Sequence, residues 1–184
     1  MKYISTRNKQ NFFSSEQVLN YGLAPDGGLF IPEFVPKFSL DSINALKGGS
    51  YKDIAFFILE PFLSDLFSDI EIKNIINEAY QNFDKEIVST SSLGENYLLN
   101  LYHGPTLAFK DYAMCRLATI YEYYLNKQDT KLLILGAPSG DTGSAAITAF
   151  NGIENITIFI ITLHYSTSHF QSKQWHPRTE PNFY

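Results

Sequence analysis

Between Asp69 and Tyr80 the apolar residues Ile72, Ile75, Ile76, Ala79 and Tyr80 fall at i, i+3, i+4, i+7 and i+8. That spacing puts them on one face of a helix, so a helix is predicted to open at Asp69. Upstream, Ser14-Ser15-Glu16-Gln17 has capping-box spacing and predicts a short helix that ends near Gly22. Pro25-Asp26-Gly27-Gly28 reads as a turn, and Leu29-Phe30-Ile31-Pro32 as a brief extended run. Ser39 is placed to cap another short helix, stopped by Gly48-Gly49. Ser50 and Asp53 repeat the capping-box spacing before Ile54, Phe57 and Ile58, and Pro61 is expected to end or kink that helix. Up to residue 82 the chain therefore reads as a small, mostly helical unit.

The pattern changes after Asp84. Ile87-Val88 and the run Tyr97 to Tyr102 read as strands, and Leu107 to Lys127 as a long helix rich in aromatics. Lys131-Leu132-Leu133-Ile134-Leu135 is a continuous apolar run of the kind expected for a parallel strand buried on both faces. Thr142 to Gly152 reads as a helix of small residues, and Ile156 to Ile161 as a second buried strand. Strand, helix, strand, helix, strand implies right-handed crossovers on an open parallel sheet. From Tyr165 to Tyr184 periodicity is lost, and Ser, Thr, His, Gln, Pro and Asn dominate. The expected fold class is α/β: a small, mostly helical domain at residues 1–83, an incomplete open parallel-sheet domain at 84–164, and an irregular tail at 165–184.

Composition narrows the class. A net charge of −5 with no basic stripe argues against a nucleic-acid partner. The single cysteine, Cys115, rules out a disulfide within the chain and suits a reducing, cytoplasmic compartment. The apolar runs are too short and too interrupted to span a membrane. The residues His103, His164, His169, His176 and Cys115 have no metal-ligand spacing, so no metal site is expected.

Two runs carry the candidate chemistry. In His103-Gly104-Pro105-Thr106-Leu107-Ala108-Phe109-Lys110-Asp111 a lysine sits among apolar neighbours at a strand-to-helix transition. Burying an amine is costly, and lysine is the side chain that forms Schiff bases with carbonyl compounds. On these residues alone, Lys110 is either a surface lysine on a helix start or a covalent catalyst. The second run, Gly136-Ala137-Pro138-Ser139-Gly140-Asp141-Thr142-Gly143, follows a strand and opens a helix. It offers glycines, hydroxyls and free N–H groups to an anion, or it is a tight turn capped by Asp141. It lacks the Gly-Lys-Ser/Thr of a nucleotide P-loop, and Ser139 lacks the Gly-x-Ser-x-Gly setting of a hydrolase nucleophile.

Both runs resemble motifs of the threonine synthase family, pyridoxal-phosphate enzymes of the tryptophan-synthase-β-like fold. His103 to Asp111 resembles its cofactor-lysine motif, and Ser139-Gly140-Asp141-Thr142-Gly143 its substrate-carboxylate loop. Tyr3-Ile4-Ser5-Thr6-Arg7 and Gly22 to Pro32 resemble its N-terminal domain. The resemblance implies that Lys110 forms the Schiff base with pyridoxal 5'-phosphate and later shuttles protons. It implies that Ser139, Gly140, Thr142 and Gly143 bind the substrate carboxylate, with Asp141 near the cofactor's 3-hydroxyl. The implied reaction converts O-phospho-L-homoserine and water to L-threonine and phosphate.

The resemblance extends from about Met1 to Leu163. The family's glycine-rich loop for the cofactor phosphate and its partner for the pyridine nitrogen lie beyond it. The tail is read as out-of-frame sequence after a truncating event, which leaves an incomplete active site. The remaining readings are a non-catalytic fragment or interaction module, and complementation by a separately encoded C-terminal half.

Overall fold

The computed structural model describes residues 1–84, 86–138 and 140–161. The tail at 165–184 and Ser139 lie outside them. The chain divides into two compact units, Met1–Ile76 and Asn77–Tyr184.

The first unit opens with β1 (Lys2–Ser5), β2 (Phe12–Ser14) and α1 (Ser15–Tyr21), followed by β3 (Phe30–Pro32), α2 (Leu40–Asn44) and α3 (Tyr51–Leu63). The last helix, α4 (Asp69–Ala79), runs across the division. The three strands form an antiparallel sheet in the order β2-β1-β3. Of these strands, β1 and β2 were not expected from the sequence. Each holds only three or four residues, too few for an alternating pattern, and β1 gains its order from partners on both edges.

The helix starts follow their caps. The Ser14 and Ser50 hydroxyls each accept from the backbone N–H three residues on, and Gln17 and Asp53 close the boxes reciprocally. Pro61 does not end α3, which continues to Leu63. The proline sits in the last turn, where its missing N–H removes one hydrogen bond without interrupting further turns. The predicted stripe on α4 is buried throughout at Ile72, Ile75 and Ile76, and Ala79 and the adjoining Tyr80 continue it.

The second unit contains β4 (Ser89–Leu93), β5 (Asn96–Asn100), α5 (Asp111–Gln128), β6 (Leu132–Gly136), α6 (Asp141–Phe150) and β7 (Ile156–Ile160). The first two strands form an antiparallel hairpin around Gly94, whose φ of 61° suits the tight turn. The strand expected at Ile87-Val88 begins two residues later, at Ser89. The strand over Tyr97 to Tyr102 is present as β5, but it pairs with β4 rather than joining a parallel sheet. The parallel pair is β6 with β7, in register Leu132↔Ile156 to Gly136↔Ile160, and α6 is its crossover. Helix α6 packs on α5 and on β7.

The expected full burial of the Lys131–Leu135 run is not found. Leu133 and Leu135 are 63% and 68% exposed. They share a face with Phe159 through the β6–β7 register, whereas Ile156 and Ile158 on the other face are fully buried. A parallel sheet is normally covered on both sides. Here α6 packs on β7, and among the described residues the face of Leu133 and Leu135 stays exposed.

Candidate active site

Lys110 is placed by the turn that precedes α5. Leu107 has φ 63°, a left-handed conformation that breaks helical geometry, so α5 starts at Asp111 and not at the expected Leu107. The turn is closed by the Leu107 N–H donating to the Gly104 carbonyl at 3.0 Å. Asp111 is fully buried. Its carboxylate accepts from the Thr106 N–H at 2.8 Å and from the Thr106 hydroxyl at 2.6 Å. Gly104 lies directly against it, and a Cβ there would come within 2.5 Å of the Asp111 side chain.

The start of the turn is tied down separately. His103 Nε2 lies 2.8 Å from the Ser89 hydroxyl, its Nδ1 lies 3.5 Å from Asp84, and its carbonyl accepts from the Asp84 N–H. Tyr112, just past the lysine, donates its hydroxyl to the Ile87 carbonyl.

Lys110 Nζ stands 3.6 Å from an Asp141 carboxylate oxygen and 4.8 Å from the Phe109 ring centroid. Its side chain is 30% exposed and that of Asp141 54%. The expected burial of the lysine is therefore only partial, because Leu107 and Phe109 are themselves exposed. In this setting the ion pair adds little to stability, of the order of 0–1 kcal/mol. Its value lies in placement: two residues far apart in the chain are brought together at the ends of successive strand-to-helix connections.

Asp141 opens α6 after Gly140, and no side chain caps that helix start. The Gly143 N–H bonds back to the Gly140 carbonyl, Gly143 is buried, and Thr142 is half-buried beside it. A helix start carries free N–H groups and the positive end of its dipole, and Lys110 Nζ pairs with the first residue of this one. The amine and the backbone N–H groups at the start of α6 could serve an anionic ligand, with the Asp141 carboxylate paired to the amine.

A separate cavity of about 230 Å³ lies among Glu78, Pro105, Cys115, Thr119, Glu122 and Asn151. Burial first, and then the charge of Asp111, push the Cys115 thiol up to about 12. Burial also raises the Glu122 carboxyl, with the Glu78 charge adding to it. Neither Lys110 nor Asp141 lines this cavity. Among the described residues no group of three or more His, Cys, Asp and Glu could hold a metal ion, and no helix is long and apolar enough to cross a membrane.

The sequence marks Lys110, Ser139, Gly140, Asp141, Thr142 and Gly143, of which Ser139 lies outside the described residues. It does not mark Thr106, Asp111 or the His103–Ser89–Asp84 contacts. Those depend on the left-handed residue at 107 and on the hairpin register, which have no short-range signature.

A lysine on one strand-to-helix turn beside the glycine-rich start of the next helix defines an α/β arrangement with both groups at neighbouring strand-to-helix connections. Comparison with known proteins makes this particular. Residues 2–80 match the model of the threonine synthase N terminus. The threonine synthase of Methylobacillus glycogenes is 40% identical over 195 residues, covering 100% of this chain and 41% of that protein. That of Pseudomonas aeruginosa is 40% identical, covering 95% and 38%.

Among solved structures, pyridoxal-phosphate-bound threonine synthase from Brucella melitensis superposes with a TM-score of 0.93 at 38% identity, over 99% of this chain and 40% of that one. The yeast enzyme gives 0.91 at 31% identity, over 99% and 39%. The chain corresponds to the N-terminal portion of threonine synthase. It spans about two fifths of the length of these relatives, and the rest of their catalytic domain is not in it.

Proposed function

We propose that this chain carries the lysine-bearing part of a threonine synthase active site, with Lys110 as its covalent catalytic residue. The observation that carries the reading is the approach of Lys110 Nζ to Asp141 at the open start of α6. The reaction would convert O-phospho-L-homoserine and water to L-threonine and phosphate. Pyridoxal phosphate, when bound, supplies an electron sink to the substrate carbon skeleton. The residues present fit part of that group: an amine for its aldehyde and a carboxylate near it. Among the described residues no glycine-rich cradle for its phosphate is joined to them.

Each residue has a role in this reading. Lys110 would hold the cofactor through its aldehyde carbon, condensing with loss of water, and once displaced by the substrate's amine would hold and move protons at Nζ. Gly140, Thr142 and Gly143, with Ser139 from outside the described residues, bind the substrate carboxylate through N–H and hydroxyl donors. Asp141 holds the amine in place and faces the cofactor's 3-hydroxyl.

The exposed face of Leu133, Leu135 and Phe159 is where the remaining catalytic domain would pack, whether it is joined to this chain or separately encoded. Alone, the chain is expected to be weakly active or inactive. The domain limits 1–83 and 84–164 and a cytoplasmic location belong to the same proposal.

The test is to equilibrate the purified chain with pyridoxal phosphate, reduce with borohydride and map the adduct by mass spectrometry. The expected result is one dominant site at Lys110, lost in Lys110→Ala. Label spread over surface lysines would instead favour a non-catalytic fragment or interaction module.

A further inference from the structure

We propose that Asp111 and Thr106 act as positioning residues for Lys110. The proposal rests on Lys110 being the reactive amine. The Asp111 carboxylate is fully buried, and both of its oxygens are taken by Thr106, one by the N–H and one by the hydroxyl. Charge-assisted hydrogen bonds of this kind are the stronger ones. They close a ring across the turn that holds Leu107 in a left-handed conformation, which a non-glycine residue disfavours.

A strained residue persists only where its surroundings over-determine it. Here the constraint is tight on a second side, since Gly104 leaves no room for a Cβ next to the same carboxylate. Asp111 is bonded directly to Lys110 in the chain. Locking its side chain fixes the backbone at 110, and so the direction in which the lysine stem leaves toward Asp141. Among the described residues the lysine's ion pair with Asp141 is partly exposed and too weak to set that direction alone.

The test compares the full chain with Thr106→Val, which keeps shape and loses the hydroxyl, and Thr106→Ser, which keeps the hydroxyl. Each is labelled with pyridoxal phosphate and borohydride, and in parallel with a short pulse of acetic anhydride. Label at Lys110 is read relative to Lys127 on the same helix, so that general loosening of α5 cancels. Losing a hydrogen bond to a buried charge is worth about a tenfold change. The proposal expects Thr106→Val to lower the Lys110 share of pyridoxal label about tenfold, and Thr106→Ser to restore it.

An unchanged share in Thr106→Val, or no rescue by serine, overturns it. If the parent chain shows no preference for Lys110 with pyridoxal phosphate, the functional reading fails. The positioning role is then decided by acetic anhydride: a shifted Lys110-to-Lys127 ratio in Thr106→Val, reversed in Thr106→Ser, supports it, and an unmoved ratio overturns it.

Discussion

The β6–β7 ladder has two faces of similar composition and opposite fate. One carries Ile156 and Ile158, fully buried. The other carries Leu133, Leu135 and Phe159, exposed by 63%, 68% and 39%. Residues of the same chemical type, alternating along the same two strands, are core on one side and surface on the other. Hydrophobicity therefore tells that these strands belong inside a protein. It does not tell that the inside is complete. The chain spans about two fifths of the length of its relatives.

The largest test of this comparison is a pair of truncations. Ile158→Ala removes a side chain with no exposure, which should cost about 2–5 kcal/mol through lost burial and a residual cavity. Leu135→Ala removes a similar volume from the exposed face and should stay within about 0.5 kcal/mol. Urea unfolding of both variants with matched slopes gives the difference directly. Equal losses would mean that the Leu135 face is packed in solution, and the contrast between the faces would disappear.

The same contrast marks what was legible in the sequence. Helices α1, α3 and α4 could be read because their capping boxes and apolar stripe are local signals, complete within four to twelve residues. Lys110 and Asp141 could be read because their motifs are contiguous. The position of the hairpin strand β4 could not, and it was expected at Ile87-Val88: Ser89-Thr90-Ser91-Ser92-Leu93 has no alternation, and its order comes from pairing with β5. Nor could the Thr106–Asp111 contact, which needs a leucine in a conformation that leucine disfavours. Burial of β6 was over-read because a run of five apolar residues does not state how many of its neighbours are present.

A second test uses pH to probe the covered side. The Cys115 thiol on α5 is pushed up from 9.0 to about 12, by burial first and by the Asp111 charge second. In the unfolded chain it ionises first. Its contribution to stability is therefore full below pH 9 and is lost as pH rises from 9 toward 12. Tyr3 and Tyr121, raised mainly by burial, act in the same direction only above 10.0. Cys115→Ala should flatten the fall in urea midpoint between pH 9 and 10, whatever its midpoint at neutral pH. Parallel curves for parent and variant would show that the thiol is not held away from water.

The smallest expected change in stability is also the most informative about the exposed face. Leu133→Lys with Leu135→Lys places two charges on β6 where the parent has leucines facing outward. A charge on a buried face would cost several kcal/mol, whereas at exposed positions each change should stay within about 0.5 kcal/mol. Exposed apolar patches bind hydrophobic dyes and favour self-association. The double variant should therefore lower anilinonaphthalene-sulfonate fluorescence and reduce any larger species seen in sedimentation. It should also keep the Lys110 label, because Lys110 does not lie on β6. Co-expressed with the remainder of a threonine synthase, the parent should associate and the double variant should not. If the variant unfolds, the face is already packed within this chain. If it associates as well as the parent, the remainder packs elsewhere, and the open face of β6 is not where the two parts meet.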